Sequence, residues 1–272
     1  FKTYLGSIID DKVWKGIAEG LNYGLGFMVI FMLHFTVATK QPAMTAARFA
    51  EAVEKTPQGK SVNMKLAQLL VDVFRSQSIA VLGNVLIAMG LAALIAFGYQ
   101  YKTGEPLMNA DQIAYQLHSI DPFAGTLWFA AIAGVWLFCS GIISGYFDNR
   151  SNYLNMRMRL TQHPLLKKLM SEKSRVKFAN YMHENYGSLI GNLCFGMLLG
   201  ITGVVGYLTH LPLDIRHVAF SSANVGYIAV SGQFTYSLLL QCIGFVLLIG
   251  LVNLVVSFSL TLWVALRSLN AE

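Results

Sequence analysis

Apolar residues in this chain fall into five long runs separated by polar stretches. The runs cover about 20–39 (GLNYGLGFMVIFMLHFTVAT), 78–99, 123–147, 187–209 and 236–266. An apolar run of roughly 18 or more residues is long enough to cross the hydrocarbon core as a helix. A helix is also the element that satisfies its own backbone polar groups there. The pattern therefore predicts an all-α, polytopic transmembrane bundle with about five spans and a single membrane domain over residues 1–272. The last run exceeds one crossing and is expected to tilt or to extend past the interface.

The polar stretches carry the orientation, because short loops rich in Lys and Arg stay cytoplasmic. Residues 148–186 hold Arg150, Arg157, Arg159, Lys167, Lys168, Lys173, Arg175 and Lys177 against Asp148, Glu172 and Glu184. This segment is placed inside, with 41–77, whereas 100–122 has Lys102 against Glu105, Asp111 and Asp121 and is placed outside. The first span then runs from outside to inside. Because the chain opens on Phe1 with no signal-peptide pattern ahead of that span, the expectation is a longer protein whose amino-terminal part includes an earlier crossing.

Composition sharpens the class. Hydrophobic residues make up 55% of the chain and charged residues 12%, against about a quarter charged in soluble domains, and the mean hydropathy is +0.52. Cys139, Cys194 and Cys242 all lie within runs and no two share metal or redox spacing. GxGxxG, GxxxxGK[ST] and HExxH are absent, so nucleotide binding and zinc hydrolysis have no sequence support and no cofactor is expected.

Polar residues inside the runs are the candidates for function. Asn22, Asn84, Asn192 and Asn253 give one asparagine to each of four runs, and an unpaired amide in hydrocarbon is costly, so their side chains are expected to face protein or water. Gly187 and Gly191, then Gly196, Gly200 and Gly203, are spaced to admit a close neighbour along one face. Packing explains both sets; a polar path lined by some of them is the sharper alternative. His34 is the ionisable residue within a run, and such groups are functional candidates. It also stands six residues before Lys40, near an expected inner interface.

Three connecting segments have their own character. Pro42 is expected to end the first helix near Lys40, with a new helix from Ala43 lying on the inner surface or serving as a connector. Residues 148–186, with Pro164 opening PLLKKLM, combine cations with Val176, Phe178, Tyr181 and Met182 and suit anionic headgroups. Their charge is explained by topology, so nucleic acid is not an expected partner for this segment. Residues 211–235 (LPLDIRHVAFSSANVGYIAVSGQFT) are too short for two crossings and too apolar for an ordinary exterior loop, which suggests a re-entrant segment. Asp214 is either the cap of a helix starting near Ile215 or the ion-pair partner of Arg216, and Arg216 and His217 sit at the interface or contact a ligand.

"NYGLGF" with "FTVATKQPAMTAA" in 22–47, "SGYFDNR" at 144–150, "LPLDIRHVAFSSANVGY" at 211–227 and "IGLVNLVVSFSLTLWVALR" at 249–267 resemble the bacterial membrane-protein family described as site-specific recombinase. The resemblance covers essentially the whole chain and implies the carboxy-terminal membrane portion of such a protein, in a Gram-negative inner membrane. It carries no catalytic residues to this chain. Tyrosine recombination typically uses an HxxR pair, and none of the six histidines has an arginine three positions on. Three functions stay open: transport, translocation or lipid handling along a polar path; a membrane anchor or assembly subunit for a soluble domain; and DNA rearrangement. Membrane lipids are the expected partners, with a second copy or a partner subunit left open.

Overall fold

The computed structural model describes residues 9, 11–34, 60–232 and 235–268, and among these every regular element is a helix. They are α1 (Lys12–Met32), α2 (Lys60–Thr103), α3 (Ala110–Ile120), a 3₁₀ turn (Pro122–Ala124), α4 (Thr126–Tyr153), α5 (Met156–Gln162), α6 (Pro164–Leu169), α7 (Glu172–Thr209), α8 (Val218–Ala229) and α9 (Tyr236–Ser268). The helix expected from Ala43, and the stop at Lys40, lie outside the described residues. Four helical stretches among the described residues are long and apolar enough to cross a membrane: Arg75–Thr103, Thr126–Tyr153, Glu172–Thr209 and Tyr236–Ser268.

Local sequence explains most helix ends. Asp11 accepts the Val13 and Trp14 amides and opens α1, and Asn109 with Gln112 forms a reciprocal capping box on α3. Asp121 accepts the Phe123 amide ahead of Pro122, so the expected start of a span at Phe123 becomes a 3₁₀ turn. Gly125 then takes φ 79°, a left-handed conformation that glycine adopts without a Cβ penalty, and α4 begins at Thr126. Ser171 accepts the Ser174 amide and opens α7.

The first expected span is the one that moves. A helix over 20–39 was indicated; α1 instead starts at Lys12, ends at Met32, and gives way to a turn in which His34 has φ 62°. Its amino-terminal half carries Lys12, Lys15 and Glu19, which dilutes the apolar run. His34 is consequently exposed past the helix end rather than deep within a span.

Contacts group the chain into two compact units, Phe1–Ala43 with Trp136–Leu211 and Met44–Val135 with Pro212–Glu272. In the first, α1 packs along α7, and α5 and α6 pack on the early part of α7. In the second, α8 packs against α2, α9 and α3. Its core gathers Val85, Ile120, Ala130, Val218, Val225, Cys242, Val246 and Ile249.

Candidate functional site

In the second unit the segment before α8 is held by one side chain from far along the sequence. Residue 217 is a histidine, a poor N-cap, and makes no side-chain capping bond. Asn253 of α9 substitutes: its Oδ1 accepts the Val218 amide at 3.1 Å, and its Nδ2 donates to the carbonyls of Ala130 (2.7 Å) and Arg216 (3.0 Å). One buried carboxamide thus ties the start of α8 to α4 and α9. Opposite it, Gly134 of α4 lies so close to α9 that a Cβ there would come within 2.8 Å of the Val256 Cβ.

Arg216 extends the same junction. Its amide donates to the Phe129 carbonyl (3.2 Å), its Nε to the Ser119 carbonyl (2.8 Å) and its Nη1 to the Ile215 carbonyl (2.8 Å). The guanidinium also pairs with Asp214. Asp214 Oδ1 accepts the adjacent Ile215 amide. Asp214 therefore does not cap a helix near Ile215; its carboxylate is occupied, the chain stays non-helical, and the helix starts at Val218. His217 is buried with its ring edge-on to Phe220 at 5.6 Å. Burial in apolar surroundings lowers its pKa to about 4, so it is neutral at pH 7. Sequence reasoning missed Gln116, whose Oε1 accepts from Asn224 Nδ2 at 2.6 Å.

The first unit has a polar seam between α4 and α7. Ser140, Ser144 and Ser151 are buried on α4, and with Asp148 they recur every three or four residues, one helical face. Gly187 and Gly191 of α7 meet that face. The Gly187 amide donates to Asp148 Oδ1 at 3.0 Å, and a Cβ on Gly191 would approach the Ser144 Cβ to 2.9 Å. Ser151 Oγ lies 3.1 Å from His183 Nδ1. Asn192 and Ser188 are buried on α7, while Ser144 Oγ finds no hydrogen-bond partner among the described residues.

A second face of α7 meets α1. A Cβ on Gly200 would overlap the backbone of Gly20 and sit 2.7 Å from the Gly16 carbonyl; one on Gly196 would overlap the backbone of Gly24. Phe27 and Phe195 stack next to this contact, centroids 5.2 Å apart. The five glycines thus do not share one face. The five-residue step from Gly191 to Gly196 turns the helix by roughly 140°, so Gly187 and Gly191 serve α4, Gly196 and Gly200 serve α1, and Gly203 has nothing within 4 Å.

The expected polar-path residues are scattered accordingly. Asn22 points away from the glycine contact, into an open apolar groove lined by Leu21, Leu25, Val29 and Ile30. Asn84 is half-buried on α2 beside buried Val85, Asn192 is buried on α7, and Asp214, Arg216, His217 and Asn253 come together. The register of α1 against α7 reveals a further ionisable group: Glu19 of α1, one residue before the Gly20–Gly200 contact, accepts from Tyr23 Oη at 3.3 Å. Taking the helix to begin at Asp11 would have exposed it. Among the described residues no group of three or more His, Cys, Asp and Glu side chains is placed to hold a metal, and the three cysteines are free.

Helical elements throughout, with four stretches of membrane-crossing length and hydropathy, define a multi-pass membrane protein. Its packing relies on glycines and buried amides, devices suited to helices in lipid. The chain belongs to the family described as site-specific recombinase, whose model matches residues 1–272. Comparison with curated proteins and with solved structures finds no match.

Proposed function

We propose that this region is a membrane-embedded anchor or assembly module of the bacterial inner membrane, with α1 as a fifth crossing beside the four long apolar stretches. The observation that carries this reading is Asn253. A residue placed to line a polar path instead spends its carboxamide on three backbone partners, and Arg216 is committed in the same way. Polar groups used as static ties favour a fixed scaffold over a conduit. Purified protein in liposomes should show no proton or potassium flux above protein-free vesicles. Flux that changes on Asn192→Ala or Asn253→Ala, in variants that remain folded, would sink the anchor reading.

Transport or lipid handling is the second reading, favoured by the α4–α7 seam, where the Ser144 hydroxyl is buried without a partner at the level of Gly191. DNA strand exchange, which the family description names, draws no support from residues here. It predicts salt-dependent duplex binding through 148–186.

A further inference from the structure

Residues 150–177 hold eight cations (Arg150, Arg157, Arg159, Lys167, Lys168, Lys173, Arg175, Lys177) against Glu172 alone. The same stretch exposes apolar side chains, with Leu165 61%, Leu169 80% and Met158 67% accessible. Leu165 and Leu169 stand four apart on α6 and share a face, while Leu166 and Met170, half-buried, take the other side. A cationic surface with exposed leucines fits either an anionic bilayer or an acidic amphipathic protein segment. Its distance from the membrane decides between them.

α7 is one continuous helix of 38 residues, about 57 Å long, nearly twice the hydrocarbon thickness of about 30 Å. Its apolar part begins near Gly187, where α4 places Asp148 against it. Glu172 then lies about 22 Å further along the axis, and a tilt of about 30° reduces this only to about 19 Å. The headgroup layer on each side is about 5 to 8 Å deep. α6, joined to α7 through Ser171 and packed on it, stands beyond that layer. With the hydrocarbon boundary at Gly187, Leu165 and Leu169 stand beyond the reach of lipid.

We infer that α6 and the start of α7 form a docking platform, held off the membrane, for an acidic amphipathic helix of a protein partner. Its leucine face would seat on Leu165 and Leu169 and its carboxylates on Lys167, Lys168 and Lys173. Duplex DNA complements the cations but offers nothing to the exposed leucines. This rests on the anchor reading and names the chemistry of what is anchored.

The test uses the whole chain in zwitterionic nanodiscs, with three probes. They are a fluorescein-labelled helical peptide of about 20 residues with one leucine face and otherwise glutamate, the same peptide with serine for leucine, and a DNA duplex of about 20 base pairs. The leucine–glutamate peptide should bind saturably, at least about tenfold more tightly than the serine peptide or the duplex. Leu165→Ser with Leu169→Ser, and separately Lys167→Gln with Lys168→Gln, should each weaken it by about tenfold or more while leaving the melting temperature unchanged. A spin label at Leu169→Cys should be reached by a water-soluble nickel reagent more readily than by oxygen in discs containing phosphatidylglycerol. Equal binding of the serine peptide, equal binding of DNA, or an oxygen-accessible label would each overturn the proposal. Absence of flux together with absence of peptide binding would overturn the platform and leave the anchor reading standing.

Discussion

Replacing Gly200 tests the closest helix contact in the first unit. A Cβ added there meets backbone atoms of Gly16 and Gly20, which cannot rotate aside as a side-chain end would. The Gly16 carbonyl would lie at 2.7 Å, where ordinary contact begins at 3.4 Å. The Gly20 backbone comes closer still, so α1 and α7 must part by well over 0.7 Å even for alanine, with dispersion lost along the whole contact. Overpacking of this kind costs about 1–3 kcal/mol, and leucine should reach the upper end or exceed it. Helix propensity works in the opposite direction, since Gly→Ala in a helix interior gains roughly 1 kcal/mol. The sign of the change is thus diagnostic. Gly200→Ala should lower the thermal midpoint in detergent, whereas Gly203→Ala, with nothing within 4 Å, should leave it unchanged or raise it. Equal shifts at the two positions would refute the assigned contact.

Asn253→Ala strands the Val218 amide and two carbonyls and should cost about 2–4 kcal/mol in denaturant titrations; Asn84→Ala should cost far less. Arg216→Ala should be more damaging than Asp214→Ala, because Arg216 also holds the Ser119 and Ile215 carbonyls, and the double variant should be no worse than Arg216→Ala; strict additivity would show the pair is independent. His217 has a folded pKa of about 4, below the unfolded value of about 6.5, so the unfolded state binds more protons between these values. Stability should be full above about pH 6.5 and fall by roughly 3 kcal/mol as pH drops through that window, a loss that His217→Phe should largely remove from the pH–stability profile. For topology, Lys168→Cys should resist an impermeant thiol reagent in intact spheroplasts while Glu105→Cys reacts; the reverse labelling would invert the assigned orientation.

Hydropathy is a sum over local residues, and that is why the runs 78–99, 123–147 and 236–266 fall within about six residues of their helical stretches, while 187–209 marks only the carboxy-terminal part of Glu172–Thr209. Capping is local too, so Asp11, Asn109, Pro164 and Ser171 mark their helix ends in the sequence. The role of Asn253 was not legible, because its partners lie 35, 37 and 123 residues away and an amide facing inward looks the same whether it lines a path or ties down a backbone. Asp214 posed a local ambiguity between cap and ion pair. It resolves toward the pair, since Arg216 is pinned in place by the Ser119 carbonyl, itself anchored by Thr126 Oγ1. The glycine stripe is a different case, in which the five-residue gap after Gly191 already contained the change of face.

The most consequential misreading concerns where helices stop. An apolar run records how far a helix can stay in hydrocarbon, not how far it stays helical. α7 continues through Glu172–Tyr186, opened by the Ser171 cap and packed against α5 and α6, and the α4–α7 seam extends in the same direction through Asp148, Ser151 and His183. On the docking-platform proposal, the basic segment expected to meet the headgroups is carried past them on this extension of α7. That displacement turns a charge pattern explicable by topology alone into a surface whose exposed leucines call for a protein partner.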